Sequence, residues 1–286
     1  MVLSKLRTYG ELVMFSHTLF SIPFGLIAMF LAADGLPSPW ITLWTLIALV
    51  SARTAANALN RVVDKDIDAL NPRTAGRHFP KGLVKTSEVL LFILVCLGLL
   101  VLSAFMLNPV CVVLLPVPLF IFFVYSFTKR FTWACHIILG MACGGAPVGA
   151  WIAVTGNITW VSLILGTIVM FWVAGFDIIY GAQDVDFDRE EGLYSIPSVF
   201  GVKKALIVSA VFHFLCVLLL IYVGFLARLG WIYAAGVAIG TCLLFYEHRI
   251  VSPTNLKNVT IASYSVNQVV STVLLVFTTA DIFILR

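Results

Sequence analysis

The sequence predicts an all-α polytopic membrane protein with nine transmembrane helices. Of its 286 residues, 61% are hydrophobic and 11% are charged, whereas soluble globular domains carry about 25% charged residues. Its apolar runs repeatedly reach the roughly 20 residues that a helix needs to cross a bilayer. Because a helix satisfies its own backbone hydrogen bonds, as a lipid environment requires, these runs are predicted to be helical.

Turn signals separate several of the nine predicted spans. Asp-Gly, Asn-Pro and Gly-Asn pairs stand at 34–35, 108–109 and 156–157, and such pairs are typical of breaks between helices. No soluble linker interrupts the pattern, so a single membrane domain over residues 1–286 is expected. The predicted spans are 12–33, 40–59, 89–107, 110–128, 132–154, 160–180, 205–227, 231–247 and 263–284.

Lysine and arginine predict the orientation of the chain in the membrane. With nine spans, the side that holds the N-terminus carries fifteen of these residues, the other side carries only Arg228 and Arg286, and Arg53 lies inside a span. The positive-inside rule predicts that the fifteen face the cytoplasm. Anionic lipid headgroups account for the net charge of +4. The bilayer is therefore a predicted partner, and nucleic acid is not.

Two short acidic segments stand at the predicted cytoplasmic ends of the second and sixth spans. The first reads DKDID from Asp64 to Asp68, and the second reads DVDFD from Asp184 to Asp188. On a helix, residues i and i+4 share a face while i+2 lies nearly opposite. The outer acids of each segment should therefore point together, and the middle acids, Asp66 and Asp186, elsewhere. The segments begin 120 residues apart, which suggests a duplicated four-helix unit followed by a final helix.

Three interpretations of these acids compete. Solvated loop carboxylates, paired with nearby Arg and Lys, would explain one segment more easily than two matched ones. A calcium-binding EF-hand needs Gly at its sixth position and an acid at its twelfth, where this sequence has Ala69 or Arg189 and Ala75 or Ser195. Magnesium binds through one or two carboxylates plus substrate phosphates, and it is the ligand we predict.

A polar stripe leads along the second span to the first acidic segment. Arg53, Asn57 and Asn60 precede Asp64 and Asp68 at steps of three or four residues, so all five share one helix face. An arginine inside a span requires a protein interior or a water-filled cavity around it. A polar substrate group would satisfy it, and a buried Arg–Asn bond is the alternative.

Basic residues beyond the acids predict a phosphate site. Arg73 and Arg77 are four residues apart, and the segment YSFTKR adds Tyr125, Lys129 and Arg130. Guanidinium groups bind phosphate oxygens in pairs, and a metal can bridge carboxylate and phosphate oxygens. Acids and bases in this order therefore indicate a magnesium-bound diphosphate.

These residues resemble the UbiA superfamily of intramembrane aromatic prenyltransferases. The first matching motif is NRVVDKDID from Asn60, continued by RTAGR at 73–77, and the second is YGAQDVDFDREEGLYSIP from Tyr180. YSFTKR and SHTLFSIPFG (16–25) also look like this family. The resemblance covers essentially the whole chain. It implies nine transmembrane helices around a central cavity, capped by cytoplasmic loops, and a magnesium-dependent transfer of an isoprenoid from an allylic diphosphate to an aromatic acceptor.

The resemblance also implies roles for individual residues. The residues implied to be catalytic and to hold magnesium are Asp64, Asp68, Asp184 and Asp188, with Asn60 beside them. The residues implied to bind the substrates are Arg53, Asn60, Arg61, Arg73, Arg77, Tyr125, Lys129 and Tyr180. His17 and Asp177, inside predicted spans, are further candidates for function. The base that removes the ring proton is left open.

The acceptor is predicted from the motif spacing. NRVVDKDID followed by RTAGR looks most like the group that attaches a long polyprenyl chain to 4-hydroxybenzoate in quinone biosynthesis. A naphthoate-type acid for menaquinone is the alternative acceptor. An ion-coupled transporter is the alternative of another class, although transporters place their acids near the bilayer midplane. The expected location is a bacterial cytoplasmic membrane, with the site facing the cytoplasm.

Overall fold

The apolar runs of the chain form helices. The computed structural model describes residues 8–13 and 15–285, with backbone alone for 15–21. The α-helices are α1 Phe15–Ala33, α2 Pro39–Val63, α3 Lys65–Leu70, α4 Thr86–Leu107, α5 Pro109–Leu114, α6 Pro116–Tyr125, α7 Cys135–Thr155, α8 Trp160–Gly181, α9 Val185–Glu190, α10 Ile196–Phe200, α11 Val202–Leu226, α12 Trp231–Arg249 and α13 Asn267–Leu285. Short 3-10 turns occupy Thr128–Arg130 and Ala182–Asp184, and a π-helical segment occupies Ile261–Val266.

Six helices in the described part of the chain are long and apolar enough to cross a membrane. They are Pro39–Val63, Thr86–Leu107, Cys135–Thr155, Trp160–Glu190, Val202–Leu226 and Ile261–Leu285. Two shorter apolar stretches are Ile22–Ala33 and Pro109–Tyr125. The all-helical membrane architecture is thus confirmed, whereas the count of nine spans is not confirmed and stays a prediction. Large apolar side chains such as Phe120, Trp160 and Phe225 are exposed on the outside of the helices, where lipid would cover them.

Capping residues set the starts of the two helices that lead to the acidic segments. At the start of α2, Ser38 accepts a hydrogen bond from the backbone N–H of Ile41, and proline occupies the first turn. At the start of α8, Thr159 and Ser162 form a reciprocal capping box. Both devices satisfy N–H groups that have no partner within the helix.

The prolines of the predicted fourth span divide it into two helices. α5 ends at Leu114, α6 begins at Pro116, and Leu115 joins them. Proline supplies no backbone N–H and its ring clashes with the preceding turn, which accounts for the break.

α8 is the central helix of the bundle. In the most apolar 18-residue stretch of its span, 67% of the residues are buried inside the protein, against 28–39% in the other five candidate spans. It packs against α7 and α11, and α1 packs on α7. The contact with α7 depends on small residues: a Cβ at Gly140 would lie 2.3 Å from the carbonyl oxygen of Met170, and one at Gly144 would lie 2.4 Å from that of Gly166. α7 and α8 can therefore approach this closely only because glycine occupies these two positions.

Candidate active site

The first acidic segment lies where α2 gives way to α3. Asp64 follows the last residue of α2, and Asp68 lies within α3, where it is buried at 6% exposure. Asp66 between them is exposed. The helix periodicity therefore separated the two inward acids from the outward one correctly.

The second acidic segment has the same arrangement at the end of α8. The 3-10 turn Ala182–Asp184 follows α8, and α9 begins at Val185. Asp184 and Asp188 are buried, and Asp186 is exposed. The chain thus builds two equivalent acid pairs from two separate helix ends.

Both acid pairs line one polar cavity of about 190 Å³. All twelve residues that were predicted to bind metal or substrate line it: Arg53, Asn60, Arg61, Asp64, Asp68, Arg73, Arg77, Tyr125, Lys129, Tyr180, Asp184 and Asp188. Asn71, Asp177, His136 and Tyr264 also contribute to its wall. Segments more than a hundred residues apart therefore meet in a single site. The predicted roles of these residues remain proposals.

Each motif aspartate contacts a cation supplied by another part of the chain. Arg73 forms a two-pronged ion pair with Asp184, and its Nε donates to Oδ1 at 2.8 Å. Arg77 Nη1 lies 2.5 Å from Asp68 Oδ1. The remaining contacts are Arg130 Nη2 to Asp64 Oδ1 at 3.4 Å and Lys129 Nζ to Asp188 Oδ2 at 3.7 Å. The acids and bases expected to bind metal and diphosphate are thus interleaved in one network.

Neutral donors hold the same carboxylates in place. Asn60 Nδ2 donates to Asp64 Oδ2 at 2.8 Å, and Asn71 Nδ2 donates to Asp184 Oδ1 at 3.0 Å. The Ser195 hydroxyl donates to Asp188 Oδ2 at 2.9 Å. Asn71 was not among the predicted site residues, because its partner is 113 residues away and no local pattern signals that contact.

Burial and charge shift the pKa values of the ionisable groups that line the polar cavity. Burial raises the pKa of Asp64, and the neighbouring Asp68 adds to the rise against the opposing effect of Arg130. For Arg73, burial works to lower the pKa, but the hydrogen bond and charge of Asp184, together with the nearby Tyr180 and Tyr264, outweigh burial, and the pKa is raised. Burial also works to lower the pKa of Lys129, but Asp188 and the other acidic groups nearby together more than compensate, so that its pKa is raised. Both cations are therefore held in the charged form.

A second, apolar cavity of about 330 Å³ adjoins the polar one. Arg53, Asn57, Tyr125 and Leu139 line both cavities and mark their junction. The rest of the wall is mainly aliphatic, with residues such as Leu49, Ile121 and Ala146. Arg53 Nη1 donates to the Cys143 sulfur at 2.9 Å. The site thus consists of two adjoining cavities. We call the polar cavity the mouth of the site, and we call the apolar cavity, which lies in the membrane region, the apolar chamber.

His17 and Asp177 are the two further candidates for function predicted from the sequence. The side chain of His17 lies outside the described residues. Asp177 lines the polar cavity, and its Oδ2 lies 2.7 Å from Nδ1 of His136 on α7.

Comparison with known proteins now identifies the family. The profile of the UbiA prenyltransferase family matches residues 21–268, which is most of the chain. The chain belongs to the UbiA prenyltransferase family. Membership in this UbiA family agrees with the two motifs at Asn60 and Tyr180 and favours a transferase over the transporter alternative.

Relatives of this UbiA-family protein carry more than one substrate in their names. It is 30% identical over 224 residues to 4-hydroxybenzoate octaprenyltransferase of Aeromonas hydrophila, covering 78% of each chain. It is 32% identical over 233 residues to protoheme IX farnesyltransferase 2 of Saccharopolyspora erythraea, covering 79% of this chain and 71% of the relative. Prenyl transfer is common to both names, and the acceptor is not.

Solved structures share the fold. A UbiA homologue from Aeropyrum pernix K1 is 30% identical, with a TM-score of 0.85 over 93% of this chain and 98% of the homologue. A UbiA homologue from Archaeoglobus fulgidus, solved with DMAPP and Mg²⁺, is 18% identical, with a TM-score of 0.71 over 97% and 99% of the two chains. The first supports the family, and the second, at its lower identity, the fold alone.

Proposed function

We propose that this UbiA-family protein transfers a polyprenyl chain from an allylic polyprenyl diphosphate to the ring of an aromatic acid, with 4-hydroxybenzoate as the first candidate acceptor. The observation that carries the proposal is the junction of the two cavities. The polar cavity gathers acids and cations suited to a metal-bound diphosphate, and it adjoins, at Arg53, an apolar cavity suited to an isoprenoid chain. The step would belong to quinone biosynthesis.

The donor chemistry of the polar cavity fits magnesium. Asp64, Asp68, Asp184 and Asp188 offer only oxygen atoms, which Mg²⁺ prefers. Within the described residues, no group of three or more His, Cys, Asp or Glu side chains stands close enough to hold a metal by itself. That arrangement suits Mg²⁺, which binds through one or two carboxylates and takes its other ligands from waters and substrate phosphates. The Mg²⁺ in the Archaeoglobus homologue gives further support.

Charge balance points to a metal–diphosphate complex as the ligand. Five Lys and Arg residues and five Asp residues line the polar cavity, so their formal charges cancel. A bare diphosphate would leave this partly buried site strongly negative, which is costly in a low-dielectric region. Diphosphate with Mg²⁺ brings little net charge, and it allows Arg73, Arg77 and Lys129 to exchange carboxylate contacts for phosphate contacts.

The residues of the mouth would act on the departing diphosphate. Bound magnesium would neutralise charge on the diphosphate oxygens as the C–O bond stretches. The guanidinium groups of Arg73 and Arg77 and the ammonium of Lys129 would stabilise the same charge, which is largest in the transition state. The aromatic rings of Phe176 and Tyr125 line the cavity, and their π-faces suit an allylic cation.

Arg53 is proposed to hold the carboxylate of the acceptor. Its side chain lies at the junction, and its Nε is buried with no hydrogen-bond partner within the described residues. A buried donor without a partner costs about 1–3 kcal/mol, which an acceptor carboxylate would recover. An acid bound there would have its ring between the diphosphate mouth and the apolar chamber.

The test is a product assay with purified protein in a bilayer, magnesium and a polyprenyl diphosphate. 4-Hydroxybenzoate, a dihydroxynaphthoate and protohaem would be offered side by side, with the mass of the product as the readout. The proposal predicts a prenylated 4-hydroxybenzoate in the largest amount. Prenylation of the naphthoate alone would move the step to menaquinone synthesis, and absence of product with either aromatic acid would refute the proposal.

A further inference from the structure

Asp177 lies deeper in the membrane-spanning part of the protein than the four motif aspartates. It lies on α8 seven residues before Asp184, which places it about 10 Å further along the helix at 1.5 Å per residue. Its side chain is 26% exposed, and it lines the polar cavity together with Arg53 and Tyr125. Asp177 is therefore on the side of the diphosphate mouth where an acceptor ring held by Arg53 would lie.

Asp177 also differs from the motif acids in its partner. Each of the four motif aspartates contacts an arginine or a lysine. In the described part of the chain, the partner of Asp177 is the imidazole of His136, and it makes no ion pair with Lys or Arg. Asp177 is thus the cavity carboxylate whose charge is not already committed to a guanidinium or an ammonium group.

His136 is positioned to orient that carboxylate. It is 1% exposed, and its Nδ1 lies 2.7 Å from Oδ2 of Asp177. Its ring packs over Gly181, where a Cβ would lie 2.9 Å from Cε1, so the absence of a side chain there leaves room for the ring. The Nδ1–H group of His136 donates to Oδ2 of Asp177. The second oxygen, Oδ1, has no hydrogen-bond donor among the described residues, and it is accessible rather than fully buried. Oδ1 is therefore the oxygen available to a substrate.

The reaction under "Proposed function" requires one acceptor for a proton. The C1–O bond of the allylic diphosphate breaks and diphosphate leaves with the electron pair. A π pair of the acceptor ring forms the new C–C bond to C1. The ring C–H at that carbon then breaks, its electrons restore the aromatic ring, and the proton passes to a base. Such a base typically accelerates a reaction by about 10²–10⁴-fold.

We infer that Asp177 is the base that takes the ring proton, and that His136 is the positioning residue that aims its free oxygen. The inference rests on the proposed function. Asp177 combines three properties that the step needs: it lines the cavity, it has an open carboxylate oxygen, and among the described residues its carboxylate contacts a histidine and no arginine or lysine. The proton then leaves through the polar mouth with the released diphosphate. The leaving diphosphate itself is the competing base.

The test compares Asp177→Asn with the wild type, using 4-hydroxybenzoate that carries deuterium at the two ring carbons beside the hydroxyl-bearing carbon. In the wild type, we expect C–O cleavage to limit the rate and ring deuterium to have no effect. In Asp177→Asn, prenylation falls about 10²–10⁴-fold and a ring-deuterium isotope effect appears, because C–H cleavage has become slow. Asp177→Glu recovers part of the rate, and His136→Gln gives a smaller loss with the same isotope effect.

Binding measurements and a matched control separate this role from a structural one. Binding of magnesium and polyprenyl diphosphate, measured by quenching of tryptophan fluorescence, is unchanged in Asp177→Asn. The control Asp66→Asn removes one exposed acid, and its rate matches the wild type. A wild-type rate in Asp177→Asn, a loss without an isotope effect, or lost diphosphate binding would each overturn the inference. A wild type that prenylates neither aromatic acid would instead refute the proposed function.

Discussion

Asp68 and Asp66 provide a matched pair of substitutions on one short helix. Asp68→Asn and Asp66→Asn make the same chemical change two residues apart, but Asp68 is buried in the polar cavity and Asp66 is exposed outside it. Asp68 lies 2.5 Å from Arg77 and 3.6 Å from Arg61. If Asp68 binds the magnesium that neutralises the departing diphosphate, its loss removes a charge that acts in the transition state.

The expected size follows from these contacts. Loss of one preorganised electrostatic group costs about 10²–10³-fold in rate, or about 2.7–4 kcal/mol. The free energy of unfolding should fall by less. Removing one partner of a fully buried ion pair costs about 3–5 kcal/mol, but the side chains of Arg77 and Arg61 keep 26% and 15% exposure to water. The asparagine also retains a hydrogen-bond acceptor, so a loss of about 1–3 kcal/mol is expected.

The assay is magnesium-dependent release of diphosphate by purified protein in lipid nanodiscs, with thermal unfolding of each variant as the control for folding. Asp68→Asn should lose about 10²–10³-fold in rate while remaining folded at the assay temperature. Asp66→Asn should match the wild type in both measurements. Equal losses in the two variants would refute the assignment of the i and i+4 acids to the site.

Three further predictions concern the fold, the metal and the prenyl chain. Gly140→Ala places a Cβ 2.3 Å from the Met170 carbonyl oxygen, and this overpacking should lower the free energy of unfolding by about 1–3 kcal/mol. Thermal unfolding in detergent should show the loss, whereas the control Gly149→Ala, whose added Cβ would have no neighbour within 4 Å, should unfold like the wild type. Removal of divalent cations by EDTA should abolish product formation, and added Mg²⁺ should restore it; full activity in EDTA would exclude the metal. Gly145→Phe fills the apolar cavity that Gly145 lines and should reduce turnover of long polyprenyl diphosphates much more than that of a short one; equal effects would place the chain elsewhere.

The parts of the site that the sequence predicted are those governed by helix periodicity. Asp64 and Asp68, like Asp184 and Asp188, lie inside the cavity because residues four apart share a helix face, and Asp66 and Asp186 lie outside for the same reason. Arg53, Asn57 and Asn60 reach the same cavity along one stripe of α2. Regular backbone geometry carries this information along each helix, so no tertiary structure was needed to find it.

Contacts between distant elements could not be predicted in this way. Arg73 pairs with Asp184 and Asn71 donates to the same carboxylate, and both contacts depend on how the loop after α3 meets the end of α8. The pair of His136 and Asp177 joins α7 to α8, and a single histidine in an apolar run carries no signal of its partner. The nine-span count depends on where lipid meets the helices, and helix length and hydropathy together identify six candidate spans in the described residues.

We propose that the two acidic segments form one site for a metal-bound diphosphate. The most direct measurement is a crystal structure with Mn²⁺ in place of Mg²⁺ and an unreactive polyprenyl thiodiphosphate, in which anomalous scattering locates the metal. Metal density is expected between the pair Asp64 and Asp68 and the pair Asp184 and Asp188, with the diphosphate against Arg73 and Arg77 and the chain in the apolar cavity. Metal or diphosphate bound outside this cavity, or at one acidic segment with the other still paired to its cations, would contradict it.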